Sequence, residues 1–184
     1  MGQIASPAPV LLLLAAFSRH DAALDWARRR GEETWGPVAL ESTRFEFRET
    51  DYYQPSMGPE LRKTFWAFER MIDPVQLPDV KRTTNGWESE YAGLGRHGET
   101  RPLNLDPGYV TLGKLVLAST KDHAHRIYLS DGVYAEVTLH YTAGSWRRHE
   151  WTFPDYRRSD YQEFFSRCRD FARRRLRQSS AAGQ

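Results

Sequence analysis

The chain is short of the features that usually reveal a function. It has one cysteine, Cys168, in 184 residues. No internal disulfide can form, and no Cys-rich zinc site can be assembled. A single free thiol fits a reducing compartment, and the expectation is a cytoplasmic protein. Surplus charge is also lacking: 26 Lys and Arg against 24 Asp and Glu leave a formal +2. That is too little to demand a nucleic-acid partner. The apolar run VLLLLAAF, Val10 to Phe17, is too short to span a bilayer. No Lys or Arg precedes it, as a signal peptide would require. It reads as a buried strand instead.

Several catalytic and binding motifs are absent too. The segment Gly58 to Thr64 (GPELRKT) approaches a phosphate-binding loop, but Arg62 stands where the second glycine belongs and Pro59 lacks an amide donor. Thr120-Lys121-Asp122 approaches a guanine-reading T-K-x-D pattern with its Asp one residue early. There is no G-x-S-x-G elbow and no H-E-x-x-H. His123 and His125 would face the same way on a strand and, with Asp122 or Asp106, resemble part of a metal site. A pair of surface histidines is the preferred reading, so no metal and no cofactor is assigned.

What is present is a globular composition, 40% hydrophobic and 13% aromatic with six Trp. The expectation is one α+β domain over residues 9–177, with 1–8 and 178–184 as flexible termini. A mixed, largely antiparallel sheet would be covered by helices. After the Val10–Phe17 strand, Asp21 caps a helix running to Trp35, which Gly36-Pro37 ends. Val38–Arg48 reads as a strand, Asp51–Pro59 as a loop, and Leu61–Ile72 as a strand by its aromatic content. A turn and a helix follow over Pro74–Ala92, and Gly93–Thr100 is a loop. Asn104 to Tyr109 (NLDPGY) reads as a shaped turn, since Asn, Asp, Pro and Gly each favour turn geometry. Thr111–Thr120 reads as a short buried helix with Lys114 and Lys121 on one face.

The last helix is amphipathic. Tyr161, Phe164, Phe165, Cys168, Phe171 and Ala172 follow helical spacing, and Ser159 with Gln162 suggests a capping box. Between the turn-helix region and that helix lies a hairpin about Ser130-Asp131-Gly132. A three-residue loop with Gly132 in the left-handed region pairs Leu129 with Val133, Ile127 with Ala135, and Tyr128 with Tyr134. The same register sets Arg126 beside Glu136.

The strings NLDPGY, KLVLASTKD, HRIYL, GVYAEVTLHY and WTFPDY, with TDYYQPSMG and PVQLPDVKRTTNGWE upstream, resemble an uncharacterised prokaryotic family. It is catalogued as domain of unknown function four-four-one-six, and some of its members carry the label "GTP-binding protein". The resemblance runs from Pro9 to Phe165 and implies a single domain. It brings no catalytic residue with it.

The functional expectation therefore rests on the residues. A polar surface of Asp51, Tyr53, Lys63, Asn104, Asp106, Tyr109, Lys121, His125, Arg126, Tyr128, Tyr134 and Glu136 would bind an anionic small molecule, a nucleotide or other phosphate ester. Arg126 is the expected anchor, because its planar fork suits phosphate oxygens. Acid–base chemistry would need Asp106 or Glu136 beside His125. The alternative is a non-enzymatic RNA- or protein-interaction module built on the Arg-rich last helix. No membrane partner is expected.

Overall fold

The computed structural model describes residues 2–182; Met1, Gly183 and Gln184, which fall within the expected flexible termini, lie outside the described residues. The chain begins with β1 (Val10–Ser18), α1 (Asp21–Trp35), β2 (Val38–Glu41), β3 (Phe45–Glu46), the single turn α2 (Gln54–Met57) and β4 (Arg62–Ile72). A 3-10 turn (Pro74–Gln76) leads into α3 (Leu77–Gly93), followed by β5 (Asn104–Val110), β6 (Lys114–Ser119), β7 (Ile127–Ser130), β8 (Val133–Thr142) and β9 (Ser145–Arg148). A second 3-10 turn (Asp155–Arg157) precedes α4 (Ser159–Ala182). The strands form one sheet in the order β2-β4-β1-β5-β6-β8-β7, with β3 beside β4 and β9 beside β8. Every pairing is antiparallel, so the α+β class holds without the parallel neighbours of a mixed sheet.

β1 is flanked by β4 and β5 and is buried on both faces, which explains its unbroken apolar run. Leu12 and Leu14 face α1 and α3, while Leu11 and Leu13 face α4. All four are fully buried, each contributing about 1.5–3 kcal/mol of transfer free energy. The result is a three-layer arrangement, with α1 and α3 on one side and α4 on the other. Among the described residues, no helix is long and apolar enough to cross a membrane.

Several local expectations are corrected. NLDPGY is not a turn; it is the strand β5, paired with β1 along its whole length. KLVLAS is not a helix but the strand β6, buried on both faces. An apolar run of that kind carries no period to separate strand from helix, so Lys114 and Lys121 share no helix face. The 38–48 strand is broken into β2 and β3. Asp21 does not cap α1. It is the helix's first residue, and its carboxylate pairs with Arg44 and Arg62. Ser159 is likewise inside α4, and Gln162 donates to the Tyr156 carbonyl instead of closing a capping box. That helix also continues past Arg177 to Ala182.

The hairpin keeps Ile127 opposite Ala135 and Tyr128 opposite Tyr134, but Ser130 pairs with Val133. The loop is Asp131-Gly132, both with positive φ, and the irregularity sits at Leu129 within the strand. Two left-handed residues make a two-residue turn, so the extra residue is taken up as a bulge. β7 is an edge strand, and Ile127 is 72% exposed.

Candidate functional site

β5 explains the opening of the sheet at one end. The β5–β6 pairing runs from Val110↔Leu115 to Gly108↔Leu117 and stops there. Gly108 is needed where the two strands are close. A Cβ at that position would overlap the Val116 carbonyl oxygen and come 2.8 Å from Leu117 Cδ2. The next residue back is Pro107, which has no N–H to give. The Thr111 N–H bonds the Lys114 carbonyl, and ladder bonds alternate along a strand. Tyr109 and Pro107 therefore turn their backbone groups toward β6, and the missing donor falls on that side. One step further, the Leu105 N–H donates to Glu88 Oε1 at 2.6 Å, and its carbonyl accepts from Lys81 Nζ at 3.0 Å. Two side chains of α3, seven residues apart, thus replace β6 along this edge.

On the α4 side of the same sheet end, register places polar residues side by side. Lys63 pairs with Phe17 across β4 and β1, and Phe17 with Asn104 across β1 and β5. Asp106 lies opposite Ala15, on the same face. Lys63 is buried and donates to Asp155 Oδ2 at 2.6 Å. Its ammonium lies 4.4 Å from the Tyr156 ring centroid, with Phe17, Phe47 and Phe65 around it. The Asn104 amide donates to Asp106 Oδ2 at 2.7 Å, and its oxygen accepts from Arg101. Arg101 in turn pairs with Glu88 at 2.9 Å, and Lys81 lies 3.4 Å from Asp106. Burial works to raise the Asp106 pKa. Lys81, Lys63, the Asn104 amide and Arg101 outweigh it, and the carboxyl sits below its ordinary range. Burial raises that of Glu88, against the pull of Arg101 and Lys81.

Tyr53, at the cap of α2, packs edge-on against Phe17 at 4.8 Å. Burial and the Asp106 charge push its phenol above the ordinary range, and Arg101 opposes them. Tyr156 is buried, and its hydroxyl has no hydrogen-bond partner among the described residues. Burial, with the charges of Asp155, Asp106 and Glu136, holds that phenol well above its ordinary value.

A second group lies further across the sheet, on the same face of β8. Glu136 is buried, and Arg126 Nε donates to its Oε2 at 2.8 Å, so the expected pairing is present. Arg126 Nη1 donates to Ser119 Oγ and to the Lys121 carbonyl. The expected anchor is thus already occupied: Arg126 serves its own fold. His125 Nε2 lies 3.3 Å from Glu136 Oε2, and its ring is stacked on Trp151 at 5.3 Å. Lys121 is exposed at the rim and donates to the Tyr52 hydroxyl at 3.2 Å.

The other expected residues do not converge here. Tyr109 faces the α3 side, three residues from Asp106 and so across the sheet from it. Tyr128 and Tyr134 form an edge-to-face pair at 5.4 Å on the outer rim. Asp51 is exposed and accepts from its neighbour Gln54. It lines a surface groove of about 460 Å³ with Arg19, Phe47, Arg48, Glu60 and Arg62. Each of the groove's guanidiniums already has a carboxylate: Arg19 with Glu99, Arg48 with Glu46, and Arg62 with Asp21. The groove therefore offers an anion less than the sheet end does.

His123 lies parallel to His125 at 5.8 Å, and among the described residues no group of three or more His, Cys, Asp or Glu is gathered to hold a metal. In the Gly58–Thr64 segment, Lys63 is turned inward on β4 and paired with Asp155. Sequence reading missed Lys81, Glu88, Arg101, Asp155 and Tyr156. The seven-residue spacing of Lys81 and Glu88 was the available signal for two of them.

A family model described as "Domain of unknown function (DUF4416)" matches residues 8–171. No curated protein and no solved structure matches the chain.

Proposed function

We propose a function from the chemistry of the sheet end, because the chain belongs to DUF4416, a family whose description carries no activity. The reading is a binding site for a small organic anion of the phosphate-ester or nucleotide kind. The observation that carries it is the Tyr156 hydroxyl, buried without a partner among the described residues, with Lys63 against its ring and the charges of Asp155, Asp106 and Glu136 acting on it. An unsatisfied buried polar group costs about 1–3 kcal/mol. A ligand oxygen, or a water held by the ligand, would relieve that cost. Among the described residues the Tyr161 hydroxyl is also unpartnered; its ring packs on Phe45, Phe65 and Tyr156, and Asp155 and Arg158 act on its phenol, so it borders the same cluster.

The charge arrangement supports an anion at the rim. Lys63, Lys81, Arg101 and Arg126 each have a carboxylate beside them. Lys121 has none among the described residues, and its contact is the neutral Tyr52 phenol. Lys121 is therefore the cation of this end left for a ligand, although Asp122 follows it in the turn, and His125 lies further along the same turn.

The test is calorimetric titration with inorganic phosphate, ribose 5-phosphate and nucleoside monophosphates, with thermal shift as a second readout. Lys121→Ala and Tyr156→Phe are each expected to weaken binding at least about tenfold, roughly the value of one charge-assisted or one buried hydrogen bond. Absence of binding by every probe, or affinities that neither substitution moves, would refute the reading.

A further inference from the structure

We infer a second surface, independent of the sheet end: the C-terminal half of α4 binds the phosphate backbone of double-stranded DNA. Residues 167–177 contain six arginines and one acidic residue, Asp170, a net +5. The whole chain carries +2, so the remaining residues sum to −3. The positive charge is thus concentrated on one element of a mildly acidic body.

Its placement separates it from the core. Ala172 is the last fully buried residue of α4, yet the helix runs on to Ala182. Arg175 and Leu176 are still half-buried, and the six residues beyond them, at about 1.5 Å each, make roughly 9 Å of helix past the packed part. At 100° per residue, Arg173, Arg174 and Arg177 lie on the side opposite the buried Cys168 and Ala172. Arg167 extends that side two turns back.

The partners of the arginines sort them by role. Arg169 is held by the Leu112 carbonyl and lies 3.8 Å from the Tyr141 ring centroid, so it belongs to the fold. Arg175 reaches Glu69 and Arg173 reaches Asp170. Arg167, Arg174 and Arg177 have no carboxylate beside them among the described residues. The first two lie over the rings of Phe164 and Phe171, which orients their guanidiniums before any partner arrives.

The chemistry favours duplex DNA over the other polyanions. A membrane-surface helix needs an apolar stripe beneath its basic one; the exposed side here has none. A helix about 10–12 Å across fits a major groove about 12 Å wide, whereas the major groove of duplex RNA is too narrow. The acidic remainder of the chain would be repelled by phosphate, leaving α4 as the approach. No base-reading residue is implied, so binding is independent of sequence.

Fluorescence anisotropy with a short labelled DNA duplex tests this. Three phosphate contacts give a slope of log K against log salt near −2.7, about a 40-fold loss between 50 and 200 mM. Arg177→Ala should flatten the slope by about 0.9. Arg167→Glu with Arg174→Glu and Arg177→Glu should abolish binding with only a small fall in melting temperature, since none of the three is buried and only ring contacts made by exposed arginines are lost. Lys121→Ala should leave DNA binding as it was, whatever becomes of the small-molecule site. No binding at 50 mM salt overturns the inference. So does a triple variant that binds like the parent, and so does duplex RNA binding as tightly as DNA.

Discussion

The Lys63–Asp155 pair offers the sharpest test of how the sheet end is held. Both side chains are nearly inaccessible, at 4% and 6%, and they join β4 to the turn before α4. Phe17, Phe47, Phe65 and Tyr156 surround the ammonium, so water cannot replace a lost partner. Lys63→Met keeps the stem and leaves Asp155 as a buried, uncompensated charge. Such a loss costs about 3–5 kcal/mol. Asp155→Leu leaves the ammonium in the same position and should cost a similar amount. The double variant removes both charges and both desolvation penalties, and replacement of a buried pair by apolar groups is often close to neutral. The expected outcome is a double variant more stable than either single one, measured by urea denaturation with unchanged m-values. Single losses that simply add would refute the reasoning, and single losses under about 1 kcal/mol would show a solvated pair.

Three further outcomes follow from the same geometry. Gly108→Ala should destabilise by about 3 kcal/mol or more in chemical denaturation, because backbone rather than a flexible side-chain end blocks the new methyl. Glu99 bonds His20 at 3.0 Å and Arg19 at 3.1 Å, chiefly the first holding its carboxyl down to about 2. A depressed carboxyl stabilises above its unfolded value and loses that contribution as pH falls toward the folded one. The melting temperature should therefore fall between about pH 4.5 and 2, and Glu99→Gln should flatten that limb. The Cys168 thiol is fully buried, and burial drives its pKa upward. It should not react with a thiol reagent in the native protein and should react once urea unfolds it.

The sequence was most legible where one force acted alone. β1 declares itself because both of its faces are buried, and the first half of α4 because one face is. The Arg126–Glu136 contact followed from hairpin register, even though the bulge sits at Leu129 instead of in the loop. Legibility failed where a residue answered to a distant strand. In NLDPGY, local turn chemistry and long-range pairing point in different directions, and pairing with β1 prevails. In KLVLAS, burial on both faces removed the alternation that marks a strand. The site suffered similarly: Arg126 has the right chemistry for an anchor, but Ser119, the Lys121 carbonyl and Glu136 already engage it. Which cation is left over depends on the full set of pairs, and one chain of letters does not show them.

Pro107 and Gly108 tie the site to the fold. Gly108 lets β5 and β6 touch, and Pro107 ends their contact one residue later. A residue with a free N–H at 107 would find the Ala118 carbonyl in register and extend the ladder toward Asp106. Ser119 would then face Asp106, and Lys81 and Glu88 would lose the Leu105 groups they now satisfy. The gap is therefore not a packing defect. The strand is opened at a defined residue, and α3 supplies the hydrogen bonds that β6 does not make. Because Lys81 bonds both the Leu105 backbone and Asp106, the position of α3 sets the electrostatics of the site. A shift of that helix would move Lys81 relative to Asp106 and weaken one of the charges that hold its carboxyl below the ordinary range.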